Sequence, residues 1–379
     1  MGDIIPRIAT SEAEEELTTT IARDAARAGR ARGGFSVGRI GVLTGGGDCP
    51  GLNAALRAVV RKGIDAHDHT ILGFRDGWRG VLNDEVEELT RDSVRGILHR
   101  GGTILGSSPS NPFRVENGVE MVRGTFRDEK LDALIAIGGE GTLTSAAWMA
   151  EEGLPVLGVP KTIDNDIAAT DYTFGFDTAL QVASDAIDRL HSTAESHNRV
   201  MVVEVMGRHA GWIGLYAGLA GGADALLIPE HPFDLEEVCR HLRHRHLNGN
   251  SFSIVVVSEG AIPVEGTLEV PEYPLDELGW PRVGGISNIV APEIEKATGF
   301  ETRVTILGHV QRGGTPTAFD RILATRFGVA AIDLATAGGF GRMVSLRGAD
   351  ISDVPLKDAV GKRKVVPEEL YRVAEVFFG

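Results

Sequence analysis

The stretch RIGVLTGGGDCPGLNAALRAVVRKGI, residues 39–64, carries a complete strand–turn–helix unit. Ile40–Leu43 is continuously apolar, as a strand covered on both faces requires. Thr44–Asn53 is a glycine-rich turn, and Asn53–Ile64 spaces its apolar residues for one helical face. The unit recurs along the chain. Further strands are expected at Thr70–Phe74, Ala133–Ile137, Val156–Val159, Val200–Val205, Ala225–Ile228, Ile254–Val257 and Val304–Leu307, with amphipathic helices at Asp177–Ser196 and Asp320–Ala337. Such alternation predicts an α/β fold with parallel sheets joined by right-handed crossovers. Ligands of these sheets bind outside the carboxyl ends of the strands, so the following loops are where chemistry is sought.

The 379 residues suggest two or three domain-sized units. Lys and Arg number 38 against 53 Asp and Glu, a net charge of −15, which argues against a nucleic-acid partner while leaving room for a local basic pocket. Glycine is abundant, 49 residues, about twice the usual share. With only Cys49 and Cys239, a disulfide framework and a structural zinc site are excluded. No run reaches the ~18 apolar residues of a membrane span. Residues 1–37 read as a helical extension, with Ser11 as cap and Gly33-Gly34 as terminator. Its acidic run Glu12, Glu14, Glu15, Glu16 is unlike a secretory or organellar leader, and a cytoplasmic location is expected. Ala261–Gly285, rich in Pro, Glu and Gly, reads as a long surface excursion.

Four loops carry reactive groups. In Thr44–Asn53, consecutive glycines including Gly46 and Gly47 let backbone N–H groups approach an anion at a helix start, without the Walker ending or Rossmann spacing. In Gly138-Gly139-Glu140-Gly141-Thr142, one carboxylate stands among glycines; beside a phosphate cradle it suits Mg²⁺, and alone it is a turn with a solvated Glu. Pro160-Lys161-Thr162-Ile163-Asp164-Asn165-Asp166 packs two carboxylates, a cation and a hydroxyl into one turn. There Asp164 could take a proton from an attacking hydroxyl while Asp166 orients a metal or substrate. The fourth group is cationic: Arg199, Met206-Gly207-Arg208, Arg303 and Gly308–Gly314 with His309 and Arg312. Arginine forks beside glycines suit phosphate. Glu259 could bond a sugar hydroxyl or sit in an ion pair, and His309 alone is open to a core reading.

These motifs, in this order, resemble the phosphofructokinase A family over roughly residues 39–350. The resemblance implies two Rossmann-like α/β/α domains with the active site in the cleft between them. It divides the chain into a nucleotide-binding domain, 38–175 plus 311–350, and a sugar-phosphate-binding domain, 176–310 plus 351–379. It implies transfer of the γ-phosphoryl group of Mg-ATP to the 1-hydroxyl of fructose 6-phosphate, with Mg²⁺ as cofactor near Glu140. Asp164 matches the catalytic base, and Thr162 and Asp166 match its neighbours. Gly47 and Gly141 match glycines at the nucleotide phosphates, and Trp78 matches an aromatic near the base. Met206, Arg208, Glu259, His309 and Arg312 match the sugar-phosphate site. Arg199 and Arg303 match arginines that reach a neighbouring subunit's site, which implies a homo-oligomer, a tetramer or dimer.

The family also contains diphosphate-dependent members, with Asp at the position of Gly141 and Lys at that of Lys161. Gly141 leaves space for a nucleotide, so ATP is favoured over diphosphate. Another ketose phosphate such as sedoheptulose 7-phosphate is an alternative acceptor, and a catalytically weak paralogue an alternative role. The second is motivated by Pro109, which stands where the family usually has an arginine facing the transferred group. Lys161 or Arg114 could supply the compensating charge.

Overall fold

The structure, a computed structural model, describes residues 38–271 and 284–378. The extension expected over residues 1–37 and residues 272–283 of the excursion lie outside the described residues. Twelve strands form two sheets among the described residues: β1 (Arg39–Gly45), β2 (Thr70–Phe74), β3 (Val86–Leu89), β4 (Ala133–Gly138), β5 (Val156–Thr162), β6 (Phe174–Gly175), β7 (Val200–Val205), β8 (Ala225–Leu227), β9 (Ser253–Ser258), β10 (Thr302–Ile306), β11 (Arg342–Arg347) and β12 (Asp350–Pro355). The larger sheet runs β12-β11-β5-β4-β1-β2-β3, with β6 beside β5; the smaller runs β10-β7-β9-β8. All pairings are parallel except those of the two edge strands β3 and β12.

Every strand expected from the apolar runs is present. β4, β7 and β9 are buried along their whole length, because helices cover both faces of each sheet. One face of β1 and β4 packs Ile40, Val42, Ile135 and Ile137 with Leu52, Leu56, Leu323 and Phe327 of two helices, Leu52–His67 and Ala318–Thr336. The other face packs Leu43, Leu134 and Ala136 with Leu143 and Met149. The two helices cross closely at Gly328, where a Cβ would stand 2.6 Å from the Ala55 carbonyl oxygen. Glu204, a charged residue inside the buried strand β7, is fully engaged: its carboxylate accepts from Gly285 N (2.6 Å), Ser287 N (3.0 Å) and Ser287 Oγ (2.5 Å), at the start of the helix Ser287–Thr298.

The expected division after residue 350 is corrected. β12 pairs with β11 in the larger sheet, and Leu356 and Ala359 join that sheet's core. Beyond them the chain crosses to the smaller sheet, where Trp212 Nε1 donates to Lys364 O (2.7 Å) and Tyr371 Oη to Leu226 O (3.2 Å). Among the described residues no helix is long and apolar enough to cross a membrane.

Asp320 ties the two bodies together. It is buried, and its Oδ2 accepts from Thr178 N (2.8 Å) and Thr178 Oγ1 (2.5 Å), while Thr317 Oγ1 donates to Asp177 Oδ2 (2.6 Å). Asp320→Ala strands two buried donors, and a loss of about 2–3 kcal/mol is expected. A denaturation midpoint equal to that of the parent would remove Asp320 from this role.

Candidate active site

The loops after β1, β4 and β5 meet at the carboxyl end of the larger sheet. They enclose a cavity of about 240 Å³ with Gly46, Gly47, Gly139, Glu140, Gly141, Thr142, Lys161, Thr162, Asp164 and Asp166 in its wall. Arg312 closes it from the turn Gly308–Arg312, and Ser108, Pro109, Ser110 and Asn111 close another side. The loop after β1 is braced from below, since Gly46 N donates to Ser108 O (3.1 Å) and Ser107 Oγ to Gly46 O. The helix Glu140–Glu151 starts at the wall, and its cap Gly139 offers no side chain to the first-turn N–H groups. An anion is the natural partner for such a helix start. A Cβ at Gly47 would stand 2.5 Å from Arg312 Nη1, so glycine is what lets this arginine approach the loop. Arg312 Nη1 also donates to Asp48 O at 3.3 Å.

The turn after β5 is rigid. Asp164 N donates to Thr162 Oγ1 (3.1 Å), Thr173 Oγ1 to Thr162 O (2.8 Å), and Thr173 N to Asn165 Oδ1 (3.1 Å). Asn165 holds a left-handed φ of 51°, a conformation that Asn tolerates better than most residues. Burial raises the Asp164 carboxyl above its ordinary range, against the pull of Arg312 and Arg208. Burial, then the charges of Asp164 and Glu140, push Asp166 up to about 7. Lys161 is buried, its Nζ donates to Gly47 O, and burial pulls its pKa down.

The sign of the Asp166 shift makes a stability prediction. A carboxyl raised in the fold contributes stability that is full below its unfolded value and lost as pH rises through about 7. Asp166→Asn cannot ionise, so its melting temperature should exceed the parent's at about pH 8, with the gain shrinking toward about pH 4. A pH-independent difference contradicts the strained carboxylate.

On the smaller sheet, Met206, Gly207 and Arg208 follow β7, and Glu259 follows β9, its N donating to Val205 O (2.8 Å). Burial raises Glu259 to about 7, with the charge of Asp164 adding to it, so this carboxyl faces the same cleft. Met206 is buried, Arg208 half-buried and His309 exposed. Arg199 and Arg303 lie at the opposite end of the smaller sheet, beside Glu301; Arg199 Nη2 stands 2.8 Å from its carboxylate. The structure does not bring these two arginines to their own chain's cavity.

A family model described as phosphofructokinase matches residues 39–335. The chain belongs to the phosphofructokinase family. It is 58% identical over 341 residues to the pyrophosphate–fructose 6-phosphate 1-phosphotransferase of Amycolatopsis methanolica, covering 90% of this chain and 100% of that protein. It is 57% identical over 342 residues to the ATP-dependent 6-phosphofructokinase of Mycobacterium bovis, with the same coverage. Among solved structures, phosphofructokinase from Pichia pastoris in the T-state matches with TM-score 0.74 and 34% identity, over 90% of this chain and 36% of that one. The pyrophosphate-dependent phosphofructokinase of Nitrosospira multiformis shares the fold, with TM-score 0.77 at 20% identity, over 90% and 92% of the two chains.

Within this phosphofructokinase chain one expected contact is corrected. Trp78 is 1% exposed, sits in the core with Phe74 and Leu143, and its Nε1 donates to Thr142 O (3.3 Å), so it has no face on which a base could stack. Pro109 does line the cavity, without charge. Arg114 is exposed and outside the lining.

One residue of the site was missed. Arg363 Nη2 stands 3.2 Å from Glu140 Oε2, reaching the cavity from near the end of the chain. Its only sequence signal is the basic triplet Lys362-Arg363-Lys364 in an acidic chain.

Among the described residues no three His, Cys, Asp or Glu side chains converge to hold a metal alone. Mg²⁺ takes one or two carboxylates together with substrate phosphates, and Glu140 and Asp166, both in the cavity wall with oxygen donors only, fit that demand.

Proposed function

We propose that this phosphofructokinase transfers the γ-phosphoryl group of Mg-ATP to the 1-hydroxyl of D-fructose 6-phosphate in the cytoplasm. The observation that carries the donor is Gly141: a Cβ built there meets nothing within 4 Å, so the wall opens where a nucleotide must pass. Close relatives carry both donor names and do not decide it.

Asp164 accepts the proton of the 1-hydroxyl as its oxygen attacks phosphorus, and the bond from the γ-phosphorus to the bridging oxygen breaks to release ADP. The transition state is loose, so positioning and charge matter most. Thr162 and Asn165 keep the Asp164 turn fixed. Arg312 and Lys161 face the phosphates, and the N–H groups starting the helix Glu140–Glu151 add partial positive charge. Mg²⁺, held by Glu140 and Asp166, would neutralise charge developing on the phosphate oxygens. Met206, Gly207, Arg208, Glu259 and His309 form the sugar-phosphate side. Arg199 and Arg303, remote from this cavity, serve the site of a neighbouring copy in a homo-oligomer.

Initial rates with fructose 6-phosphate and equal ATP or diphosphate test the donor. ATP should support turnover and diphosphate little; the reverse order overturns the ATP reading and leaves the phosphotransferase reading intact.

A further inference from the structure

We propose that Arg363 is a positioning residue of the phosphoryl-transfer site, delivered by a C-terminal strap to hold Glu140 and to balance the acidic wall of the cavity. The proposal rests on the phosphotransferase reading above.

Charge sets the need. Three carboxylates, Glu140, Asp164 and Asp166, line the cavity against two cations, Lys161 and Arg312. Both cations already serve backbone carbonyls, those of Gly47 and Asp48. A polyphosphate entering this wall meets an excess of negative charge. Arg363 is a further cation at this end, 3.2 Å from the Glu140 carboxylate.

Placement sets the role. The strap is fixed to the Asp164 turn: Arg363 pairs antiparallel with Ile167, Lys364 N donates to Asp166 O (2.9 Å), and Lys364 Nζ donates to Asn165 Oδ1 (2.9 Å), Thr170 O (3.1 Å) and Asp171 O (2.8 Å). It is fixed equally to the smaller sheet's body, through Trp212 Nε1 to Lys364 O (2.7 Å) and Val366 N to Glu230 Oε1 (2.9 Å). Glu230 also accepts from Gly211 N at 3.0 Å. A partly exposed ion pair by itself adds little stability. Held by this many bonds from both bodies, the guanidinium has a fixed position relative to Glu140 and to the Asp164 turn, as catalysis by positioning requires. The bonds run through backbone groups and Lys364, so Arg363 can be changed with the strap in place.

The test compares Arg363→Gln and Arg363→Lys with the parent, full-length chain, by steady-state kinetics, calorimetric titration with Mg-ATP without sugar, and melting temperature. Loss of a charge-assisted partner should lower kcat and weaken Mg-ATP binding about tenfold to a hundredfold in Arg363→Gln. Arg363→Lys should recover part of both, with KM for fructose 6-phosphate and melting temperature near the parent's. Unchanged kcat and Mg-ATP affinity in Arg363→Gln overturn the proposal. So do equal losses in both variants that track a fallen melting temperature, which would make the residue merely structural. A parent chain inactive with every donor would instead defeat the phosphotransferase reading.

Discussion

Asp164→Asn is expected to lower kcat by about 10²–10⁴-fold while leaving donor and sugar-phosphate binding within a few-fold. The substitution keeps the shape of the side chain and the backbone bond from Asp164 N to Thr162 Oγ1. It removes the one property that matters, the ability to take a proton. With Asp166 and Glu140 assigned to Mg²⁺ in the proposed mechanism, neither is expected to replace it. The parent enzyme should show the same group in its pH profile. The base works ionised and burial raises its pKa, so the rate should fall as pH drops through a limb lying above the ordinary carboxylate range. A variant retaining a tenth of parental turnover would remove Asp164 from the role of base.

Gly141→Asp is expected to reduce kcat/KM for ATP on the order of a hundredfold or more, with a smaller loss for diphosphate. A side chain is sterically free at this position, since nothing lies within 4 Å of its Cβ. The new carboxylate would therefore stand in the cavity, in the first turn of the helix Glu140–Glu151, where the proposed mechanism seats the nucleotide phosphates. Its effect is repulsion and lost space in the ligand, not strain in the protein. An acidic residue in a first helical turn is favourable, so the melting temperature should hold. Steady-state rates with both donors measure the switch; an unaltered ATP rate would show that position 141 does not face the nucleotide.

Much of the site was legible because its chemistry sits in short loops at the ends of apolar strands. Glycines beside Glu140 and the dense set Lys161–Asp166 announce an anion cradle with acids at its mouth, and the cavity holds them together. Strands buried on both faces were equally plain. The edge strands β3 and β12 and the latter's neighbour β11 were not, because VEEL, DISDVP and RMVSLR mix polar residues into runs too short or too alternating for a buried-strand rule. Trp78 shows a different failure: an aromatic placed by resemblance at a ligand is spent on the core, where its indole N–H meets a carbonyl. Arg363 could not be found from spacing at all. It lies 223 residues from Glu140 in sequence, and a basic triplet near a chain end reads first as solvated charge.

The proposed work of the Asp164 cavity is to move a phosphoryl group onto a sugar hydroxyl. Phosphorus NMR of the purified chain with Mg-ATP and fructose 6-phosphate tests it in one sample. A new phosphomonoester at carbon 1, growing in step with ADP and absent with Asp164→Asn, is the predicted result. ATP consumed with inorganic phosphate as the product, or the ester formed equally by Asp164→Asn, would contradict it.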